Sequence, residues 1–137
     1  MMKYLFFNLS IAFSISLFSC SKVSEKKPGD WDDNIKLSTR NVVFNASADS
    51  VTIKTEGSWW GISDISVDNK YFTHFDSIKI SNDTYSIKHD CFVVERRDKN
   101  TLFIKVSENP LHTQRVIGVG LTAGDYFDRV KITQKSK

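Results

Sequence analysis

The feature that most constrains the fold is the alternation of apolar and polar residues in several short runs. In "DSVTIKTE", Val51, Ile53 and Thr55 fall on one side of the chain, and Thr52 and Lys54 fall on the other. This period of two is typical of strands that bury one face. Four more runs place similar sets on one side: Val42, Phe44 and Ala46; Leu102, Ile104 and Val106; Ile117, Val119 and Leu121; Val130 and Ile132.

Turn-forming residues separate these runs, as in "ASAD", "SENP" and "TAGD". No convincing amphipathic helix or internal repeat follows the first 20 residues of the chain. A series of about seven to nine short strands in one small domain favours an antiparallel sandwich. The sequence therefore predicts an all-β fold.

The N-terminus, "MMKYLFFNLSIAFSISLFSC", has the layout of a secretory signal peptide. Its apolar part, Tyr4 to Phe18, is shorter than the about 20 residues that a membrane-spanning helix needs. The last four residues, Leu17 to Cys20, resemble a bacterial lipobox, which implies cleavage before Cys20 and acylation of its thiol. The alternative is an ordinary signal peptide in which Cys20 is coincidental.

The polar stretch "SKVSEKKPGDWDDN" follows, with Pro28 and Gly29 and no apolar period, and is typical of a flexible tether. The predicted organisation is a signal helix at 1–19, a lipidated tether at 20–33 and one domain at 34–137. Several acyl chains, at about 0.8 kcal/mol per buried CH₂, would anchor the protein stably to a membrane. Ser21 after the cysteine resembles outer-membrane sorting in Gram-negative bacteria, with the cell surface or the periplasm left open.

Charge and cysteine content exclude some classes of partner. The formal net charge is +3 with the basic residues scattered, which is no nucleic-acid footprint. Cys91 is the only cysteine besides Cys20. We interpret it as a small buried hydrophobe, with an intermolecular disulfide or a reactive thiol as the alternative.

Three segments resemble the BACON domain of Bacteroides-type surface proteins, an immunoglobulin-like β-sandwich. The first is "LSTRNVVFNASADSVTIKTEGSWW" from Leu37, and the third is the terminal "VKITQ" ending at Gln134. The second is "SENPLHTQRVIGVGLTAGD", in which the positions that fit the family's run are Asn109, Arg115, Ile117, Val119, Leu121 and Gly124. The resemblance implies a surface lipoprotein module for which carbohydrate or mucin binding and a plain spacer role are both expected.

The middle of the domain, Asp68 to Asn100, departs from the family pattern as a longer insert. We expect this insert to add a hairpin.

No constellation predicts catalysis, a metal or a cofactor. On a strand, His89 and Cys91 share a face while Asp90 points away, so Asp90 does not orient His89 as a triad requires. The histidines lack metal-ligand spacing, and so small a sandwich offers little cleft for a glycosidase carboxylate pair. Asp30, Asp32 and Asp33 are interpreted as a solvated linker end and not as a calcium site.

Two serines, Ser50 and Ser77, follow aspartates and precede apolar residues. Both tripeptides resemble the acceptor of protein O-glycosylation in Bacteroides-like bacteria. The alternative is a turn serine at the start of a strand.

The pair Trp59–Trp60 sets two indoles side by side. On a continuous strand Trp60 shares a side with Ile62, and the family resemblance aligns its tryptophan with Trp60, so we assign Trp60 to the core. Two alternatives stay open for Trp59. Either it is exposed and forms an apolar strip for a ligand, or the insert folds over it. The rings expected beside it in that strip are Tyr71, Phe72 and Phe75.

These observations predict a non-catalytic, lipid-anchored envelope or cell-surface module that binds a glycan or glycoprotein. The alternative is a structural or accessory lipoprotein that contacts other envelope proteins and binds no sugar. Neither expectation includes nucleic acid as a partner.

Overall fold

The computed structural model describes residues 31–73, 75 and 78–137, and the predicted signal peptide, Cys20 and most of the tether lie outside them. Within the described residues, nine strands form and no helix is present. The strands are β1 (Asn41–Phe44), β2 (Asp49–Lys54), β3 (Gly61–Val67), β4 (Lys70–Phe72), β5 (Tyr85–His89), β6 (Phe92–Asp98), β7 (Thr101–Val106), β8 (Arg115–Ala123) and β9 (Tyr126–Gln134).

The strands form two sheets, ordered β1-β9-β8-β3-β4 and β2-β7-β6-β5. The sets β3-β8-β9 and β2-β7-β6 reproduce the C-F-G and B-E-D neighbours of an immunoglobulin sandwich. The predicted immunoglobulin-like sandwich is therefore confirmed. It differs from a purely antiparallel arrangement in one pair, because β1 runs parallel to β9.

The core lies between the two sheets and consists of the inward residues of each strand. Ile53, Ile104, Val119 and Ile132 are fully buried. Alternation along the strands thus predicted which face packs inward, and it fails locally in β3, where the register shifts between Ile62 and Asp64. Across the sandwich, the Tyr85 hydroxyl on β5 accepts a hydrogen bond of 2.8 Å from the Ile62 backbone N–H.

The segment 68–100 supplies more than the expected hairpin. The hairpin is β5–β6, and β4 pairs in addition with β3. Asp68 and Asn69 join β3 to β4 with φ values of 46° and 68°. Positive φ at both positions is the geometry of a type I′ turn, which asparagine and aspartate tolerate.

The chain enters the domain at one end of the sandwich, here called the N-terminal end. The Gly57 N–H donates to the Ile35 carbonyl oxygen at 3.1 Å, and the Asn100 side-chain amide donates to the Gly57 carbonyl oxygen at 3.0 Å. The loops at 55–60 and 98–100 and the β8–β9 turn at 124–125 share this end, because the paired strands are antiparallel.

The opposite, C-terminal end holds a buried polar network. Arg115 donates to the Gln134 Oε1 atom at 3.2 Å, and Gln134 donates to the Ser107 carbonyl oxygen at 2.9 Å. The Asn109 amide donates to the Lys135 carbonyl oxygen at 3.1 Å. Three polar residues that carry the family resemblance, Asn109, Arg115 and Gln134, therefore have a structural role in joining the loops of this end.

Candidate binding cleft

Trp60 is a core residue, as expected. Only 4% of it is exposed, and its indole N–H donates to the Thr55 hydroxyl at 3.0 Å. The Arg96 guanidinium carbon lies 4.6 Å from the centre of the indole ring. A buried indole with a satisfied N–H and a cation over its face holds the loop before β3 in place.

Trp59, by contrast, is 77% exposed. The insert does not cover it, which decides between the two alternatives for this residue. The edge of its six-membered ring lies over Gly124 in the β8–β9 turn, where a Cβ atom would come within 3.3 Å of the ring atom Cζ3. Gly124 has a φ of 64°. Glycine suits this turn both for its left-handed backbone and for the ring beside it.

Three loops converge around Trp59 and enclose a cleft of about 290 Å³. In the immunoglobulin arrangement the first and third of these are the B–C and F–G loops, whereas the second leads from β4 to β5 in the opposite sheet. The lining residues are Ser58, Trp59, Trp60 and Gly61 from the first loop, Ile80, Ser81 and Asp83 from the second, Thr122, Ala123 and Gly124 from the third, and Arg96 from β6.

Arg96 lies beneath the cleft and is 4% exposed. Its guanidinium donates to the Ser58 carbonyl oxygen at 2.6 Å and to the Asn82 carbonyl oxygen at 3.1 Å. These bonds tie the first loop to the second. The Nε atom is buried and has no hydrogen-bond partner among the described residues.

Asp83 supplies the accessible charge of the cleft. Its side chain is 51% exposed, and its carboxylate lies 3.6 Å from the Arg96 Nη2 atom and 3.9 Å from the Lys99 Nζ atom. The cleft thus combines an exposed indole, an accessible carboxylate acceptor and the hydroxyls of Ser81 and Thr122. An apolar surface with a few convergent polar groups is the usual composition of a small-ligand site.

The other rings expected beside Trp59 lie elsewhere, so the predicted strip is not formed. Phe72 pairs with Ile65 in the C-terminal half of β3, and its ring centroid lies 4.6 Å from that of His89. Tyr71 is exposed on the outer face of the five-stranded sheet beneath the Arg129 guanidinium. Phe75 is half-buried and packs against the core.

Besides the cleft, the outer face of the five-stranded sheet carries a cluster of charged and polar side chains. The Arg129 guanidinium donates to the Asp64 carboxylate and to the Ser66 hydroxyl. A Cβ atom on either Gly118 or Gly120 would collide with side chains of this cluster. The space above the two glycines is therefore already filled by protein side chains.

Other expected sites are placed as follows. Ser50 is exposed in β2, whereas Ser77 lies outside the described residues. Cys91 is half-buried against the core, and burial raises the pKa of its thiol. His89 is the last residue of β5.

Asp33 has a capping role at the start of the domain, and Asp30 lies outside the described residues. The Asp33 carboxylate accepts hydrogen bonds from the Lys36 N–H at 2.6 Å and from the Arg40 guanidinium at 2.5 Å. The described residues include no group of three or more His, Cys, Asp or Glu side chains that is arranged to hold a metal ion. Nor does the described part of the chain contain a helix long and apolar enough to cross a bilayer.

Sequence reasoning missed Asp83 and Arg96. Arg96 had a signal, since it continues the inward series of β6 after Phe92 and Val94, where an apolar residue is expected. A polar residue at such a position needs partners. Asp83 had no comparable signal, because a loop of 12 residues separates β4 from β5.

Comparisons with known proteins define the fold only. No protein-family model matches the sequence, and no characterised protein matches it significantly. The NMR structure of a protein from Bacteroides thetaiotaomicron is similar, with a TM-score of 0.63 and 18% identity over 81% of this chain and 94% of that one. A chaperone–tip adhesion subunit complex of Csu pili from Acinetobacter baumannii gives a TM-score of 0.38 and 9% identity over 75% and 57% of the two chains, which is too weak for structural conclusions. The class defined is an immunoglobulin-like β-sandwich.

Proposed function

We propose that this protein is a non-catalytic, lipid-anchored envelope module that binds a glycan or glycoprotein in the cleft at its N-terminal end. One observation carries the proposal: the Trp59 indole is 77% exposed and lies at the rim of a cleft of about 290 Å³. Large exposed aromatics at the mouth of a cleft are typical of binding sites.

The chemistry of the cleft supports a saccharide as the ligand. The flat face of an indole packs against the apolar C–H face of a sugar ring, and its quadrupole favours this contact. Asp83 offers an acceptor for the sugar hydroxyls, and Ser81 offers a hydroxyl that both donates and accepts. The Thr122 hydroxyl donates to the Gly124 carbonyl oxygen at 2.9 Å and so offers an acceptor. A module of this kind requires no nucleophile, general base or cofactor, and the sequence suggests none.

The anchor belongs to the same proposal. The lipobox-like Leu17 to Cys20 supports lipidation at Cys20, and the Ser21 that follows it supports the outer membrane. The three BACON-like segments support a surface module of that family. Metabolic labelling with palmitate tests the anchor: we expect label in the wild type and none in Cys20→Ser, and label that persists in the variant would refute acylation at this residue.

Binding of the purified mature protein to a glycan array tests the ligand class. We expect specific binding that falls at least about tenfold in Trp59→Ala, which corresponds to about 1.4 kcal/mol. Tyr71→Ala is the matched control, because Tyr71 is a 60% exposed aromatic residue that pairs with Ser66 in the C-terminal half of β3, away from the cleft. Failure of the wild type to bind any glycan would remove the proposal, and equal binding by both variants would remove Trp59 from the site.

The alternative is a structural lipoprotein that contacts other envelope proteins. The observation in its favour is the outer face of the five-stranded sheet, where Val43, Tyr71 and Phe127 are each at least 60% exposed. Chemical crosslinking in cells followed by mass spectrometry distinguishes the two. Crosslinks from this face to another envelope protein, together with a silent glycan array, would favour the alternative.

A further inference from the structure

The irregularity in β3 places two consecutive polar side chains on one face of the sheet. In a regular strand successive side chains point to opposite faces. The register of β3 against β8 shifts between Ile62 and Asp64, which leaves Ser63 as the extra residue of a β-bulge. A Cβ atom on Gly120 would come within 2.8 Å of the Ser63 Oγ atom and would also overlap the Asp64 carboxylate. Both side chains therefore lie over this glycine, on the outer face of the five-stranded sheet.

The two side chains line a second depression, which has a volume of about 330 Å³ and is also lined by Arg129 and Phe127. The Ser63 hydroxyl donates to the Asp64 carboxylate at 2.9 Å, and the Arg129 guanidinium donates to the same carboxylate. Phe127 is 68% exposed. An exposed ring thus lies beside a hydrogen-bonded polar cluster, as it does in the cleft.

The second depression adjoins the cleft through one cross-strand pair. Thr122 lines the cleft, and it pairs with Phe127 of β9 in the antiparallel ladder. The Cβ atoms of directly opposed residues lie about 4.5–5.5 Å apart, so the Phe127 side chain lies directly beside the wall of the cleft. The two depressions are neighbours on one continuous surface that crosses β8 and β9.

The size of this surface exceeds that of one sugar. Trp59 lies over Gly124, and Phe127 lies opposite Thr122, two residues before that glycine. With a rise of about 3.3 Å per residue and about 5 Å between paired strands, the α-carbons of Gly124 and Phe127 are roughly 8 Å apart. Small-ligand pockets usually measure about 300–1,000 Å³. Each depression alone is at the lower limit of this range, and the two together reach its middle.

We propose that the cleft and the second depression form one extended binding surface, and that its ligand is an oligosaccharide chain with one sugar on Trp59 and another on Phe127. This inference rests on the proposed function, from which it takes the sugar ligand of the cleft. It adds a second binding site on the outer sheet face, and it requires a ligand of more than one sugar.

The charged groups of the two depressions repeat one arrangement, in which a carboxylate and a cation lie together beside an exposed ring. The members are Trp59, Asp83 and Lys99 at the cleft, and Phe127, Asp64 and Arg129 at the second depression. Such a pair offers acceptors and donors side by side, which suits hydroxyl groups because they both donate and accept.

The second depression disfavours an anion. An anionic ligand would compete with Asp64 for the Arg129 guanidinium. It would also meet Asp128, another lining residue, whose carboxylate is already bound by Arg40 at 2.7 Å. Sugar hydroxyls bind without displacing either of these ion pairs.

The length of the ligand tests the inference. NMR titrations of the purified mature protein, which also measure weak affinities, compare the disaccharide and the hexasaccharide of glucose, of galactose and of mannose. Phe127→Ala removes the second ring. Val43→Ala is the matched control, because Val43 is 65% exposed and pairs with Thr133 near the other end of the same sheet. Thermal melts show whether each variant is folded.

We expect the wild type to bind a hexasaccharide at least about tenfold more tightly than the disaccharide of the same sugar. Phe127→Ala should lose at least about fivefold of the hexasaccharide affinity and keep the disaccharide affinity within about twofold. Val43→Ala should match the wild type with both probes. The hexasaccharide alone should shift the backbone amides of Ser63 and Phe127, in addition to the residues of the cleft. Equal affinity of the wild type for the two lengths, or equal losses with both probes in Phe127→Ala, would overturn the extended surface.

The two proposals fail in distinguishable ways. Binding that falls in Trp59→Ala and is unchanged in Phe127→Ala removes the second depression and leaves the proposed function. No binding of any of the six probes contradicts the proposed function and, with it, this inference.

Discussion

The exposed ring of Trp59 lies against Gly124, a turn residue more than 60 positions later in the chain, where a Cβ atom would come within 3.3 Å of the ring. The β8–β9 turn therefore sets the orientation of the indole at the mouth of the cleft. A ring fixed in this way loses less freedom when a ligand binds than a mobile ring would.

Gly124→Ala should weaken both the fold and ligand binding. Its φ of 64° disfavours a side chain by about 1–2 kcal/mol, and the added methyl group would push against the ring atom Cζ3 of Trp59. Urea unfolding and titration with the ligand found on the array measure the two effects. Unchanged affinity in a folded variant would mean that the position of the ring does not matter for binding.

Gly57→Ala should be more damaging, because a Cβ atom at Gly57 would overlap the backbone carbonyl of Asn34. Either the segment around Asn34 detaches from the domain or the loop before Trp59 shifts. In both cases we expect a loss of about 1–3 kcal/mol in the free energy of unfolding. Gly61→Ala is the matched control, since its Cβ atom would lie 3.4 Å from the Ile80 carbonyl oxygen. Equal stability of the two variants in urea would contradict the close contact at Gly57.

Arg115→Met should destabilise the domain by about 2–4 kcal/mol, because the Gln134 Oε1 atom and the Glu108 carbonyl oxygen lose the donor that Arg115 supplies. Arg97→Met is the control. Arg97 is a partly exposed arginine that pairs with Glu95, and its loss should change the stability by less than about 1 kcal/mol. Similar losses in the two variants would show that the buried network adds little.

Asp33 should make the domain sensitive to acid. Although partial burial raises its pKa, hydrogen bonds from the Lys36 N–H and the Arg40 guanidinium lower the pKa below its usual value overall. A lowered pKa in the folded state stabilises the fold above the unfolded value of about 3.9, and this contribution is lost as the pH falls through the folded pKa.

We expect Asp33→Asn to be less stable than the wild type at pH 6 by under about 1 kcal/mol, since the pair with Arg40 is partly exposed. The difference should shrink as the pH falls below about 4 and through the lowered folded pKa, because both states of the wild type then become protonated. Urea midpoints measured between these pH values test it, and a difference that is independent of pH would contradict it.

The strands could be predicted because each depends on a local pattern. Val51 and Ile53, or Ile117 and Val119, show their inward face within a few residues of sequence, and Trp60 follows the same logic next to Ile62. The parallel pairing of β1 with β9 was not predicted, because it joins residues about 90 positions apart. A local pattern carries no information about such a partner.

The cleft was predictable only in part, for the same reason. Trp59 stood out as an indole without a core position, whereas Asp83 and Gly124 reach it through separate loops. The strip with Tyr71 and Phe72 was expected because these residues belong to the insert, but β4 pairs with the C-terminal half of β3, away from Trp59. Loop convergence depends on the sheet order, which single residues do not determine.

The most direct test of the binding cleft is an NMR titration of ¹⁵N-labelled mature protein with neutral oligosaccharides of glucose, galactose and mannose. We expect the largest shifts at the indole N–H of Trp59 and at the backbone amides of Asp83 and Gly124, with little change at Leu111 in the opposite end. Shifts centred on Tyr71 and Arg129 of the outer sheet face, or no shifts with any of these sugars, would contradict the account.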